Sequence, residues 1–379
     1  MLTPDTEAAL AALVAVADAP FVIEGQGTKR AMLRPVQAAA TLSTRNLTGI
    51  TLHRPTELII SARAGTLVAD VEAALAAKGQ MLIAEPPAYG GIFGAGQPTI
   101  GGTVAAGISG PRRITGGAMR DHVMGVRFVN GMGEVLRSGG RVLKNVTGLD
   151  LCKLLTGSHG TLGIITEVTL KVLPRPEATA TLAVTVTDFA AGQWVLSAGL
   201  GAPYGVSGAA VVGNRALLRL EDFADSVAYR IAKLRGELAA FGSSEIIEGD
   251  ASLALWRDVA EAKPLDAAAE DAIWRVSVKP TQGPHVAAAL RTAFDAKVML
   301  DWGGGLVWVA GPANEAAHGA VMQAAGDGAF VLFRAPDALR AAVPVIKADP
   351  PALAAIARRV KDALDPKGLF NPGRMQAGF

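Results

Sequence analysis

The chain has 379 residues, 50% of them apolar and 5% aromatic, with 36 Lys and Arg set against 34 Asp and Glu. Its length gives room for two or three domains with their own cores, and a net charge of +2 without any basic cluster excludes a nucleic-acid binder. Cys152, the single cysteine, excludes an internal disulfide, a Cys-rich zinc site and a cysteine-ligated cluster, so redox chemistry would rest on a bound organic cofactor.

Taken from the N-terminus, Thr3-Pro4 reads as the cap and first turn of a helix reaching about Ala17. Its apolar run follows Asp5 and Glu7 and precedes the first cation, Lys29, which is not the charge order of a signal peptide. Phe21 to Glu24 forms a short strand that empties into a glycine loop, Gly25, Gln26, Gly27, Thr28, Lys29 and Arg30. This loop is not a Rossmann fingerprint, because Arg30 stands where the third glycine belongs and Arg34-Pro35 follows in place of a helix. A strand near 49–52, a second at 58–63 and a helix capped by Gly65-Thr66 complete a β-turn-α unit, with Leu67, Val71, Ala74 and Leu75 on one helix face and Gly79 ending it.

The stretch around which the chain is organised is 94–117, with glycines at Gly94, Gly96, Gly101, Gly102, Gly107, Gly110, Gly116 and Gly117. Missing Cβ atoms let backbone amides approach a bulky ligand. Thr99, Ile100, Gly101, Gly102 and Thr103 add a hydroxyl and a helix start, so several N–H donors can converge on one anionic group. Two readings stand open here: a cradle for a phosphate-bearing cofactor, or a flexible surface loop with no ligand. Neither glycine loop has the Gly-Lys-Ser/Thr ending of a P-loop, so phosphates, if bound, lie between loops.

Further on, Val123 to Val129 and Glu134 to Arg137 alternate about Asn130-Gly-Met-Gly133, a hairpin pattern. Lys144-Asn145 leads to a helix over 151–155, a third glycine loop from Gly157 to Gly163, and a strand from Ile164 to Leu173 closed by Pro174-Arg-Pro176. From Thr179 to Arg334 the pattern reads as βαββαβ twice over, with a linking helix between, which predicts two ferredoxin-like halves sharing one antiparallel sheet. A helix over 352–364 and a turn-rich tail through Asn371-Pro-Gly-Arg374 end the reading, with the tail expected back on the first domain.

Together these stretches resemble the flavoprotein superfamily of vanillyl-alcohol oxidase type, and within it the smaller FAD-binding subunits of bacterial glycolate oxidases, over essentially the whole length. The markers are the loop 25–30, Thr99 to Thr103, Ile108-Ser-Gly-Pro-Arg-Arg113, Arg120-Asp-His122, Lys144-Asn145, Gly157 to Gly163 and Asn371-Pro-Gly-Arg-Met375. The resemblance implies an α+β fold: a PCMH-type FAD-binding domain at 1–176, an α/β cap at 177–336 and a C-terminal segment, 337–379, returning to the FAD-binding domain. It implies that residues 25–29 (Gly25, Gln26, Gly27, Thr28, Lys29) and 98–103 (Pro98, Thr99, Ile100, Gly101, Gly102, Thr103) cradle the FAD diphosphate. Gly107, Ile108 and Ser109 would lie close by, Gly163, Ile164 and Ile165 at the adenosine end, and Asn371 and Arg374 at the flavin side.

Oxidising a 2-hydroxy acid on a flavin needs a group to hold the carboxylate and a base for the hydroxyl proton. Related dehydrogenases of the superfamily carry a His-rich metal motif in the cap; here Asp301-Trp-Gly-Gly-Gly305 stands in that region and no metal site is expected. His122, beside Asp121, and His159 are each open to a basic or an ordinary hydrogen-bonding role, and Arg112 and Arg113 to anion attraction or a solvated turn. No His or Cys within 94–117 offers a covalent flavin link, so dissociable FAD is expected. Cys152 reads as a packing residue.

Three functions remain open. The first is an FAD-binding subunit of a glycolate oxidase complex that makes glyoxylate with a larger flavoprotein subunit and an iron–sulfur subunit. The second is a self-sufficient dehydrogenase of a small 2-hydroxy acid, and the third a structural subunit. No apolar segment is long enough to insert in a bilayer, so a cytoplasmic chain is expected, reaching the inner membrane only peripherally through the complex.

Overall fold

A computed structural model describes residues 1–94, 96–140 and 149–378; Lys144 and Asn145 lie outside the described residues. The N-terminal third starts with β1 (Phe21–Glu24) and β2 (Ala40–Ser43), a parallel pair. A six-stranded sheet follows from β3 (Ile50–Arg54), β4 (Ile59–Arg63), β5 (Gln80–Leu82), β6 (Val123–Val129), β7 (Val135–Gly139) and β8 (Ile164–Pro174). Its order is β3-β4-β8-β6-β7, every pairing is antiparallel, and β5 pairs with the C-terminal end of β8. The long β8 is buried on both faces for most of its length, which makes it the spine of this sheet. The β6–β7 turn is closed as its sequence predicts, with Asn130 Oδ1 accepting from the Met132 and Glu134 amides and Gly133 at positive φ.

Two helix starts differ from expectation. Thr6, not Thr3, caps the helix Glu7–Ala15, accepting from the Ala9 amide at 3.1 Å. Leu2 is drawn into an extended bridge with β2 through Leu2 N to Thr41 O, so the helix cannot begin until the chain has turned away. Similarly Thr66 does not cap Val68–Ala76, because its hydroxyl is engaged with both backbone groups of Gly49. Val68, Val71 and Leu75 of that helix are buried, as its periodicity requires.

Eight strands form the second sheet: β9 (Ala178–Thr185), β10 (Gly208–Val212), β11 (Arg215–Asp222), β12 (Ser244–Glu248), β13 (Ala272–Ser277), β14 (Lys297–Asp301), β15 (Leu306–Gly311) and β16 (Ala329–Arg334). The order β12-β9-β11-β10-β14-β15-β13-β16 is the ferredoxin-like order followed by its mirror in sequence, joined at Val211 and Leu300. Helices Phe189–Gly201 and Ala224–Glu237 serve the first half, Gly283–Phe294 and Glu315–Ala325 the second. This is the predicted double βαββαβ, with one sheet face buried under four helices.

One hydrophobic core runs through this sheet and continues into Met32, Leu33, Tyr89, Ile92 and Ile108 of the N-terminal part. The tail closes the assembly. Helix Pro351–Leu364 carries Lys361, whose buried Nζ donates to Thr161 O (2.7 Å), Asp365 Oδ2 (2.6 Å) and Phe370 O (3.1 Å). Asp365 in turn accepts from the Leu369 and Phe370 amides, and Phe370 is fully buried against β1. Each donor and acceptor of the buried pair is thus spent on the chain it fastens.

Candidate functional site

Three glycine loops and the tail meet in one cleft between β1, β8 and the helix Ile100–Ala105. Strand β1 delivers the loop 25–30, which turns at Gly27 (φ +74°) and is fixed by Ser43 Oγ donating to Gly25 O at 2.7 Å and by the Arg30–Glu24 pair. A Cβ on Gly25 would fall 2.2 Å from Thr99 Oγ1, so only glycine lets the first loop touch the second. Thr99 caps its helix by accepting from Gly102 N at 3.2 Å. Gly101 packs on Ala64, whereas a Cβ on Gly102 would meet only the Thr99 hydroxyl, at 3.1 Å; the open side of Gly102 is the cleft.

The third loop presents His159 in the left-handed region (φ +52°), its amide donating to Ala105 O at 2.8 Å. Asn371, also left-handed, clasps β1 through Ile23 N to Oδ1 (2.8 Å) and Nδ2 to Ile23 O (3.3 Å), and reaches His159 O at 2.8 Å. Arg374 donates to Lys29 O at 2.8 Å. Loops distant by more than three hundred residues in sequence are thereby tied into one rim.

Of the residues singled out from sequence, the structure brings Gly25, Gln26, Gly27, Thr28, Lys29, Thr99, Gly101, Gly102, Gly163, Ile164, Ile165 and Asn371 to the cleft. It does not bring Pro98, Ile100, Thr103, Gly107, Ile108 or Ser109 there. Ile100 and Thr103 lie on the buried face of their helix, Pro98 is buried with its carbonyl on Val68 N, and Gly107 packs against Gly157. Ile108 belongs to the core shared with the eight-stranded sheet, and Ser109 Oγ accepts from Met119 N at 2.9 Å. Ala105, Ala106, Gly160 and His159 also line the cleft, none of them expected from the sequence as a cofactor-binding residue. The doubled glycines flanking Ser158-His159 were the signal available for the last two.

Electrostatically the cleft is positive, with Glu261 opposing at Lys29 and Glu24 at Arg374. Burial pushes Lys29 down to about 8, with Glu261 opposing, and burial and Arg340 push Arg374 down to about 10. Burial, then Arg374 and Lys29, hold His159 at about 3, so it stands there as a neutral imidazole. Glu24 is the carboxylate on this rim, and it is taken by Arg30, with Arg45 at 3.9 Å. Cations beside amide-rich glycine loops give the cleft the donors and charge that an anionic group requires.

The other candidates resolve differently. Arg112 is neither solvated nor free: Nη2 lies 2.8 Å from Glu221 Oε1 and 3.6 Å from Glu85 Oε1, and Arg219 Nη1 lies 2.7 Å from the same Glu85 oxygen. Against the upward push of burial, Arg219 and Arg112 hold the Glu221 carboxyl down to about 2. Arg113 stacks on Trp302, its Cζ 4.4 Å from the ring. His122 is buried away from the cleft, and burial lowers its pKa; the Asp121 carboxylate beside it accepts from Ala118 N. Cys152 is a packing residue whose thiol burial raises to about 11. Among the described residues no group of three or more His, Cys, Asp or Glu is placed to hold a metal ion, and no helix is long and apolar enough to cross a membrane.

With this geometry in place, comparison with known proteins is informative. The family described as FAD binding domain matches residues 1–139. The glycolate oxidase subunit GlcE of Escherichia coli (strain K12) is 35% identical over 372 residues, 94% of this chain and 93% of that protein. The glycolate oxidase subunit GlcD of Bacillus subtilis (strain 168) is 32% identical over 164 residues, covering 43% of this chain and 34% of its own. Among solved structures, substrate-bound p-cresol methylhydroxylase superposes with a TM-score of 0.73 at 14% identity, over 99% of this chain and 88% of the other. An alkyldihydroxyacetonephosphate synthase gives 0.69 at 15%, over 98% and 76%. At such identities the likeness concerns the fold alone: the α+β architecture of vanillyl-alcohol oxidase type.

Proposed function

The chain belongs to the family of the glycolate oxidase subunit GlcE and carries its FAD binding domain, and from that premise we propose that it is the FAD-binding subunit of a glycolate oxidase complex. In this reading it oxidises glycolate to glyoxylate together with a larger catalytic flavoprotein subunit and an iron–sulfur subunit. Residues 1–176 and 337–379 form the FAD-binding part and 177–336 the cap. The complex is cytoplasmic, with peripheral contact at the inner membrane.

The observation that carries the reading is the pair of half-buried cations, Lys29 and Arg374, facing a glycine-lined cleft whose own carboxylate is already engaged. A diphosphate relieves both, and the residues present fit it. Residues 25–29 and Thr99 to Gly102 would hold the diphosphate, Gly102 offering bare backbone, Lys29 and Arg374 the countercharge, and Asn371 the clasp that keeps the tail on the rim. His159, neutral beside two cations, takes no proton from the phosphates. Bound in this cleft, FAD supplies the two-electron acceptor that the side chains of this protein lack. We propose non-covalent attachment.

The test is the flavin spectrum of the purified full chain, alone and with its partner subunits, under anaerobic conditions before and after glycolate. Flavin that is released on denaturation, and that bleaches with glycolate in the complex, supports the reading; a folded chain that takes up no FAD alone or in the complex overturns it. Gly102→Val, which pushes a side chain into the cleft without a packing clash elsewhere, is expected to abolish FAD retention. A folded variant with unchanged flavin refutes the placement. Affinity for FAD should also fall as pH rises through about 8, where Lys29 gives up its proton, and Lys29→Met should flatten that fall.

A further inference from the structure

One face of the eight-stranded sheet carries an arginine that makes no close ion pair among the described residues. Along β13, Trp274 points to the helices, its Nε1 donating to His318 Nδ1 at 3.1 Å, and the next residue, Arg275, points to the opposite face. There its Cζ lies 5.0 Å from the Trp308 ring, 5.2 Å from Trp302 and 5.5 Å from Phe333. Tyr89 completes the box, its ring 5.7 Å from that of Trp308 and 5.0 Å from that of Phe333. Trp302 is held in place by Nε1 donating to Gly110 O at 3.1 Å, and Arg113 also stacks on it, 4.4 Å from the ring.

Two guanidiniums therefore share one indole, and among the described residues neither has an ion-pair partner; the Nε of Arg275 is buried without any acceptor. The nearby acids are otherwise engaged. Asp301 Oδ1 accepts from Trp302 N at 2.7 Å, and burial raises the carboxyl to about 7 against the pull of the Trp302 amide, Arg219 and Arg275, so only part of its charge faces Arg275 near neutrality. Glu261 accepts from Ala88 N at 2.7 Å and faces Lys29. Ring faces compensate a cation only in part, and they leave its N–H edge, the fork that matches a carboxylate, unsatisfied. Lys29 in the cleft and Tyr89 in the box both feel the charge of Glu261.

We infer that Arg275, assisted by Arg113, receives the carboxylate of a small 2-hydroxy acid, so that this chain carries a substrate subsite of its own alongside the larger subunit's. The inference rests on the reading of the chain as an FAD-dependent subunit acting on such an acid. The aromatic box fixes the plane of the guanidinium before the ligand arrives, which spares the ordering cost of a free arginine.

The experiment titrates oxalate, a carboxylate that is not oxidised, into the full-length chain and reads calorimetric heat and the fluorescence of Trp302 and Trp308. Arg275→Met is expected to weaken oxalate by about tenfold or more, Arg275→Lys by a smaller factor because charge stays while the fork is lost, and Arg113→Met by a few-fold. FAD content and circular dichroism should match the parent in all three. Oxalate binding indifferent to Arg275→Met, or absent from the parent chain, overturns the subsite while a retained flavin leaves the cofactor reading standing. A parent chain without FAD that still loses oxalate with Arg275→Met has the opposite meaning. Should Arg275→Met not fold, Arg275→Lys decides: weakened binding supports the subsite and unchanged binding overturns it.

Discussion

The two halves of the eight-stranded sheet share a topology and meet the N-terminal part in opposite ways. From the first half, Arg219 of β11 projects toward the loop 83–117 into two carboxylates, Glu85 and Glu221, that Arg112 also engages. From the second half, Arg275 of β13 projects to the opposite face from Trp274 and stacks among rings, with no carboxylate in close ion-pair contact among the described residues. One buried arginine is saturated and fastens the two parts together; the other is left wanting an anion. Protein interiors tolerate an unpaired cation poorly, so where one persists beside an intact counterpart, a ligand is the economical explanation for the difference.

Three substitutions test the contrast. Arg219→Met strips two buried carboxylates of their partner and should cost about 3–5 kcal/mol of stability in urea denaturation, since breaking a buried network leaves bare charge behind. A loss below about 1 kcal/mol would erase the distinction between the halves. Asp301→Asn should give the next largest change, in the opposite direction. The folded carboxyl titrates near 7, above its unfolded value, so the parent loses stability as pH climbs from about 4 to 7 and has lost it fully above 7. The amide keeps the bond from Trp302 N and escapes that loss, a gain of about 1–3 kcal/mol at pH 8 that vanishes near pH 4 in thermal melts. Arg275→Met should change the stability of the ligand-free chain by no more than about 1 kcal/mol, because the lost ring contacts are offset by removing an uncompensated charge. A large destabilisation there would make Arg275 a second fastener instead of a receptor.

How much of this the residues disclose in advance depends on the range of the interaction. Periodicity and turn chemistry are local, and they deliver the β6–β7 hairpin and the doubled βαββαβ order. The glycine loops mark the cleft because Gly25 lies against Thr99 and Gly101 against Ala64 too closely for a Cβ, a requirement visible in composition. The neighbours of those loops misled: Ile108 follows the same glycine-rich run, yet its side chain is spent on the core shared with the second sheet. Thr3-Pro4 looks like a helix cap until a bridge to β2 claims its predecessor. The partners of Arg112 stand at positions 85 and 221, and those of Asn371 at 23 and 159, separations at which no pattern in one sequence carries information.

That last separation sets an order of events during synthesis. Phe21 to Arg30 and Thr99 to Gly102 leave the ribosome early, but the cleft has no rim on one side until Asn371 and Arg374 have followed and Lys361 has locked the tail over Thr161. Closure of the cleft is thereby a late step, and a polypeptide that stalls before residues 361–374 emerge is left with an open rim.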